Sequence, residues 1–464
     1  MQIVSHSTHV IVIALVASAA GLLFGFDTGV ISGAQDFLFK TFQVDPKSAS
    51  GASLAGLVVG AVPMGAVVGA IISGWCADRL SRRTSLRYSA LLFIIGSLTA
   101  ALAPNIDTVI AGRLVMGLAV GVSSMVAPMY LSEVAPPAVR GTLVFLFQLA
   151  ITIGLVLAFL INFALADSGS WRGMIAAGVL PAAMMFVGLL AVPQSPRWLV
   201  SVGRNDEAAQ VLRLLLGKDD VQEEVDEIGN SAKREAGGGI RTMLSPRFLP
   251  LVMVAFGLFV FQQLSGINAI MYYGPQVFRA AGFGGTSSYE AQFVMGIVNV
   301  AATVIGVWLV DRAGRRPLLL GGFVGMIACL VSVGAILGQP SASSAHLSLI
   351  MVLLFIAFFA VSLGGVPYVI MSEIFPLQLR GTCMAVASVA NWAFNMAVSY
   401  SFDPLVNAMG MGNVFFLFGA CTAVGFVFAF LLVPETRGTA LEQIEANLYA
   451  GKPPRHLGDP PALA

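Results

Sequence analysis

Asp78-Arg79-Leu80-Ser81-Arg82-Arg83 recurs in the second half of the chain as Asp311-Arg312-Ala313-Gly314-Arg315-Arg316. A second pair follows in the same order. Ser132-Glu133-Val134-Ala135-Pro136 with Arg140-Gly141-Thr142 returns as Ser372-Glu373-Ile374-Phe375-Pro376 with Arg380-Gly381-Thr382. A weaker echo links Pro193-Gln194-Ser195-Pro196-Arg197 to Pro434-Glu435-Thr436-Arg437-Gly438. One basic motif repeats by chance; three, in order and at similar offsets, mark an internal duplication. Outward from these charged knots the chain is apolar. The stretches 10–34, 53–76, 87–104, 108–131, 141–166 and 173–193 precede a polar gap, and 248–278, 291–310, 317–338, 347–372, 381–402 and 413–433 follow it. Each is near the length of about 20 residues that a helix needs to cross a bilayer core. The fold class expected is an all-α membrane protein with twelve transmembrane helices in two pseudo-symmetric, parallel six-helix bundles, an arrangement used by transporters. The expected divisions are a bundle at 1–196, a cytoplasmic helical linker at 197–247, a bundle at 248–436 and a cytoplasmic tail at 437–464.

Composition agrees. Of 464 residues, 57% are hydrophobic and only 11% charged, with 25 Lys and Arg against 24 Asp and Glu. That excludes a disordered chain, a disulfide scaffold and a basic nucleic-acid binder, and leaves too little polar surface for an ordinary soluble enzyme. Cys76, Cys329, Cys383 and Cys421 lie in or beside apolar stretches and read as small buried hydrophobes. The four His fall near termini or loops, so no metal cluster is expected. No HExxH, P-loop or GxSxG is present, so neither an enzyme nor a cofactor is expected. No basic region or cleavage site marks the N-terminus as a cleaved leader, and the first span is read as retained.

Charge placement sets the orientation. Lys40, Lys47, Arg172 and Arg279 fall on one side and Arg113 inside a span, while every other Lys and Arg falls on the opposite side. The positive-inside rule places that rich side, and both termini, in the cytoplasm. The acid–base pairs repeated there suit an intracellular gate, closed when the two halves meet on that side. The candidates are Arg79, Arg83, Glu133, Arg140, Arg312, Arg316, Glu373 and Arg380.

Two charges lie well within the spans: Asp27 in the first and Arg113 in the fourth. An intramembrane charge is costly and is functional by default. The pair has opposite sign. Arg113 nearby keeps Asp27 ionised, and its withdrawal favours proton uptake, which is a mechanism for proton coupling. The alternative is an ion pair that only locks two helices. Amides also recur in the spans: Gln148, Gln262, Gln263, Asn268, Asn299, Asn391 and Asn395. An amide both donates and accepts, so it matches sugar hydroxyls without charge. Phe24, Tyr272, Tyr273, Tyr368 and Trp392 offer faces for the apolar side of a sugar ring. Gly266, between Gln263 and Asn268, is placed to break the seventh helix and turn both amides to one cavity. Some amides instead only link helices.

Together, the duplicated D-R-x-x-R-R loops, the S-E-x-x-P and R-G-T pairs, Pro193-Gln194-Ser195-Pro196-Arg197-Trp198, Pro434-Glu435-Thr436-Arg437-Gly438 and Gln262-Gln263-Leu264-Ser265-Gly266-Ile267-Asn268 resemble the sugar porter family of the major facilitator superfamily. The resemblance covers almost the whole chain, from Gly25-Phe26-Asp27 to Pro434-Glu435-Thr436. It implies the major facilitator fold, alternating access and a monosaccharide substrate. It implies sugar contacts at Gln148, Gln262, Gln263, Asn268, Asn299, Asn391 and Trp392, and a gate or site role for Tyr272; Asn395 has no such match. Asp27 resembles the acid of proton symporters. Leu155 resembles the apolar residue of glucose-type members, which favours a hexose over a pentose. Three places depart from the family pattern: Ser81 stands for Gly, Gln194 for Glu, and Gly364-Gly365-Val366-Pro367-Tyr368 for G-P-x-x-W.

The function expected is import of a monosaccharide with protons across the bacterial cytoplasmic (inner) membrane. Alternatives are a facilitative uniporter of the same fold and, in another class, a membrane sugar receptor or sensor. The partners expected are the sugar, protons and the lipid bilayer, with no nucleic acid and the monomer as the working unit.

Overall fold

The structure, a computed structural model, describes residues 2–135, 140–235, 240–338, 344–439 and 441–459. It is almost entirely helical. The chain begins with α1 (Gln2–Thr41), α2 (Ala49–Leu80), α3 (Arg82–Ala101), α4 (Ile106–Val134), α5 (Arg140–Leu165), α6 (Trp171–Ala176) and α7 (Val179–Ala191). Three shorter helices follow: α8 (Pro196–Ser201), α9 (Asn205–Leu216) and α10 (Gln222–Glu235). The second half holds α11 (Ile240–Met243), α12 (Leu249–Leu264), α13 (Ile267–Ala280), α14 (Ser287–Ala313) and α15 (Arg315–Gly338). It ends with α16 (Ser344–Val361), α17 (Val366–Ile374), α18 (Leu377–Met409), α19 (Met411–Leu432) and α20 (Leu441–Tyr449).

Among the described residues, 11 helical segments are long and apolar enough to cross a membrane. They match eleven of the twelve expected spans. The remaining one lies in α18, whose 33 residues are ample for a crossing. Asn391, Asn395, Ser399 and Asp403 make it the more polar exception. The chain is a multi-pass membrane protein.

By packing, the chain divides into two compact units, residues 1–38 with 60–237, and residues 39–59 with 238–464. In the first, α3 lies along α4 and α7. Small residues bring α1 onto α5: a Cβ at Gly25 would fall 1.8 Å from the Ile151 carbonyl oxygen. Such contacts suit association in lipid, where apolar area alone does not drive helices together. In the second, α15 packs on α19 and α16, and α12 on α18. Residues 39–59 seat on α18 within this unit. A Cβ at Gly56 would fall 2.2 Å from the Tyr400 carbonyl oxygen, and Asn407 Nδ2 donates to the Pro46 carbonyl at 2.6 Å. Pro404, four residues after Tyr400, has no N–H with which to occupy that carbonyl.

Helix breaks fall where the sequence weakens the helix. Gly266, at φ 82°, separates α12 from α13, as expected. Tyr273 leaves helical geometry at φ −114° and ψ 17°, two residues before Pro275. Residues 362–365 form turns between α16 and α17, and Pro367 starts the second piece. Irregular backbone at this depth is tolerated only where protein or a polar cavity surrounds it.

Outside the spans, Leu212, Val221 and Val225 are buried together, with Val200, Ala209, Leu216 and Ile228 packed around them. This small core joins α8, α9 and α10. Lys218 Nζ donates to Glu224 Oε1 at 3.0 Å. That hydrogen bond raises the lysine's pKa and lowers the glutamate's. Residues 441–459 pack within the second unit, α20 against α17. Asn447 Nδ2 donates to the carbonyls of Leu457 and Asp459, and Arg247 lies over the Tyr449 ring.

Candidate transport site and charge clusters

Asp27 sits midway along α1 and Arg113 near the start of α4. Both are 0% exposed, and Arg113 Nη1 meets Asp27 Oδ1 at 3.3 Å. Asp27 Oδ2 is buried with no hydrogen-bond partner among the described residues. The contact thus uses one carboxylate oxygen and leaves the other buried and without a hydrogen bond among the described residues. Close by on α1, Asn162 of α5 donates to the Gly29 carbonyl at 2.9 Å and meets Ser32 Oγ at 3.4 Å. Sequence reasoning did not single out Asn162, although it is an amide inside the fifth span. Phe24 and Gln148 belong to this first unit, both half-buried, and Leu155 is buried.

The second unit holds a network of neutral amides. Gln263 Nε2 donates to Asn391 Oδ1 at 2.6 Å, and Asn268 Nδ2 donates to Gln263 Oε1. The break at Gly266 makes this possible: Gln263 and Asn268 flank it, on α12 and α13, and meet each other while Gln263 reaches Asn391 of α18. Gln262, one residue earlier, turns elsewhere and donates to the Leu363 carbonyl at the break of the tenth span. Asn391, Trp392, Tyr272 and Asn299 are buried. Tyr368 is 41% exposed and packs edge-on against Phe259, with ring centroids 4.8 Å apart. Tyr273 stacks on Phe402 and donates to the Ser399 carbonyl at 2.8 Å. Asn395 accepts from Ser399 Oγ, and its Nδ2 is buried without a partner among the described residues.

One expectation needs correction. Asp27 and Arg113 are not the only charges deep in the helices. The eleventh span was expected to end at 402, whereas α18 continues to Met409 and holds Asp403 at 6% exposure. A single polar position at the end of an apolar stretch reads as a boundary in one dimension.

The charged knots form one cluster in each unit. In the first, Arg82 Nε donates to Glu133 Oε1 at 3.1 Å, and Ser195 Oγ donates to Glu133 Oε2. Arg82 also holds the Ala77 carbonyl at 3.0 Å. In the second, Arg315 Nη2 donates to Glu373 Oε1 at 2.8 Å, Thr436 Oγ1 donates to Glu373 Oε2, and Arg315 holds the Val310 carbonyl at 3.1 Å. Among the described residues, the arginine partners of the two glutamates are therefore Arg82 and Arg315, which sequence reasoning did not name as gate residues. The adjacent Arg83 and Arg316 turn to helix C-termini. Arg83 donates to the Val192 carbonyl at 2.7 Å and Arg316 to the Phe430 carbonyl at 2.8 Å, where a cation also meets the negative end of the helix dipole. Arg79 is exposed. Arg312 lies 3.9 Å over the Trp308 ring. Arg140 and Arg380 begin or lie in helices, and their side chains are outside the described residues.

Among the described residues, no group of three His, Cys, Asp or Glu is placed to hold a metal ion. Three of the four cysteines are buried and all are free.

Known proteins are similar to this chain in sequence and fold. The family model described as "Sugar (and other) transporter" matches residues 13–448. The chain is 38% identical over 450 residues to a galactose-proton symporter of Escherichia coli strain K12, covering 96% of each chain. It is 38% identical over 453 residues to an arabinose-proton symporter of the same strain, covering 96% of this chain and 95% of the other. Among solved structures, the xylose transporter XylE of E. coli, in a partially occluded inward-open conformation, superposes with a TM-score of 0.84 at 31% identity. The match covers 93% of this chain and all of that one. On sequence, architecture and motif placement alike, the chain belongs to the sugar transporter family of the major facilitator superfamily.

Proposed function

We propose that the chain imports a monosaccharide together with protons by alternating access, as a monomer in the bacterial cytoplasmic membrane with both termini inside. The observation that carries this reading is the fully buried Asp27–Arg113 contact with Asp27 Oδ2 left open. A pair that only locked two helices gains by saturating both carboxylate oxygens; a proton carrier keeps one unbonded, as the buried Oδ2 is among the described residues. The similar galactose-proton and arabinose-proton symporters support the same assignment.

The sugar contacts proposed are Phe24 and Gln148, together with Gln262, Gln263, Asn268, Tyr272, Asn299, Tyr368, Asn391 and Trp392. Sugar hydroxyls take over amide hydrogen bonds now made within the protein, so little polar group is left unsatisfied in either state. Hexose is favoured on the strength of Leu155, whose buried apolar side chain offers no hydrogen bond. The similarity to both a galactose and an arabinose symporter leaves that choice to a competition experiment with glucose, galactose, xylose and arabinose. The intracellular gate is assigned to Arg79, Arg83, Glu133, Arg140, Arg312, Arg316, Glu373 and Arg380. The division into bundles at 1–196 and 248–436, with a linker and tail, is retained as the functional one.

Asp27→Asn tests the coupling. The variant is expected to exchange sugar across proteoliposomes and to lose accumulation against a gradient. Undiminished accumulation in the variant shows that Asp27 is not the coupling acid, whereas a parent that exchanges sugar without ever accumulating it is a uniporter.

A further inference from the structure

The two charge clusters are built alike except at one point, and the difference explains two departures from the family pattern together. Glu133 and Glu373 each accept from the arginine that starts an earlier helix, Arg82 of α3 and Arg315 of α15, and from a hydroxyl, Ser195 in the first unit and Thr436 in the second. Ser195 and Thr436 are therefore equivalent positions, and so are the residues just before them, Gln194 and Glu435. The same alignment makes Ser81 equivalent to Gly314.

In the second unit, the Glu435 carboxylate caps the start of α15. Oε1 accepts from the Arg315 N–H and Oε2 from the Arg316 N–H, each at 3.1 Å. Gly314 is required there twice over. Its φ is 93°, and a Cβ would fall 2.7 Å from Glu435 Oε2. In the first unit the acid is absent. Gln194 Oε1 is buried with no hydrogen-bond partner among the described residues. The cap of α3 comes instead from Ser81, whose Oγ accepts from the Thr84 N–H at 3.3 Å and donates to Thr84 Oγ1 at 3.0 Å. Ser81 does this at φ 77°, a region that costs a residue with a Cβ.

We propose that Ser81 and Gln194 are one compensated exchange. The helix cap that positions Arg82 against Glu133 has moved from a carboxylate at position 194 to a hydroxyl at position 81. The side chain of Ser81 fills the space that a capping carboxylate at 194 needs. Ser81 is thus a positioning residue, acting on transport through Arg82, and the first unit keeps its charge cluster with one acid fewer than the second.

The test is a set of reciprocal exchanges, each read by melting temperature in detergent and by sugar exchange in proteoliposomes. Gln194→Glu alone places a carboxylate against the Ser81 Cβ. It is expected to lower the melting temperature and to slow exchange about five- to tenfold at unchanged KM. Ser81→Gly with Gln194→Glu is expected to return to within about twofold of the parent, because a glycine and a carboxylate re-create the second unit's cap. Gly314→Ser is expected to be damaging, and less so when combined with Glu435→Gln. If Gln194→Glu does not fold, recovery of folded protein by the double variant supports the proposal. A double variant no better than Gln194→Glu, or penalties that simply multiply, overturns it. Melting does not depend on proton coupling, so failure here is distinct from failure of the symport reading.

Discussion

The first unit carries a buried charge pair, Asp27 and Arg113, whereas the second carries the linked neutral amides Gln263, Asn268 and Asn391. The two solutions answer different demands. A buried charge is stable only while paired, so its state changes sharply when the partner moves or a proton arrives. An amide network exchanges one hydrogen bond for another with little net change, which suits a polyol that must bind and leave. On the proposed reading the proton belongs to the charge pair and most of the sugar contacts to the amide network, with Phe24 on the same helix as Asp27.

The comparison breaks most visibly at Arg113. Arg113→Leu leaves the Asp27 carboxylate buried and alone, at a cost of about 3–5 kcal/mol. Melting in detergent is expected to fall steeply, with no sugar uptake. A variant that melts like the parent would mean that the pair is not held in a dry interior. Next in size is the amide network. Gln263→Leu strands the Asn268 amide and the Asn391 oxygen, at about 1–3 kcal/mol. Sugar affinity, measured by binding calorimetry, is expected to fall about ten- to a hundredfold by that amount. The number of protons moved per sugar should stay unchanged; if it changes instead, the division of labour between the units is wrong.

Smaller effects sharpen the picture. Asn162→Ala removes the hydrogen bond to the Gly29 carbonyl and the longer one to Ser32 Oγ, together worth about 1 kcal/mol. It is expected to lower melting modestly and leave sugar affinity alone. Asn395→Ala is expected to shift sugar affinity by less than about threefold, since its Nδ2 has no partner among the described residues and the Ser399 hydroxyl keeps its hydrogen bond to the Asn395 carbonyl. A larger loss would place Asn395 among the sugar contacts.

Much of this architecture is legible in the sequence, because lipid demands long apolar helices and the duplicated knots mark their ends. The break at Gly266 is legible for the same reason: a glycine between two amides in a span has no role in a plain lipid-facing helix. Helix ends are less so. The first and eleventh spans run further than their apolar stretches, to Thr41 and Met409, which is why Asp403 and Gln35 were not among the interior polar residues expected. The clusters are harder still. Arg79, Arg82 and Arg83 are interchangeable in a string of letters. Which of them faces Glu133 depends on where α3 starts, and that is set by the unusual backbone at Ser81. Asn162 carries no motif; only its contact with the Gly29 carbonyl marks it out.

The central claim is that proton and sugar move together through this chain. The most direct measurement is the external pH of a weakly buffered, de-energised suspension of vesicles holding the protein, recorded as sugar is added. Alkalinisation that follows sugar entry in the parent, and is lost in Asp27→Asn while sugar exchange persists, is the result expected. Sugar entry in the parent with no change in pH would contradict it.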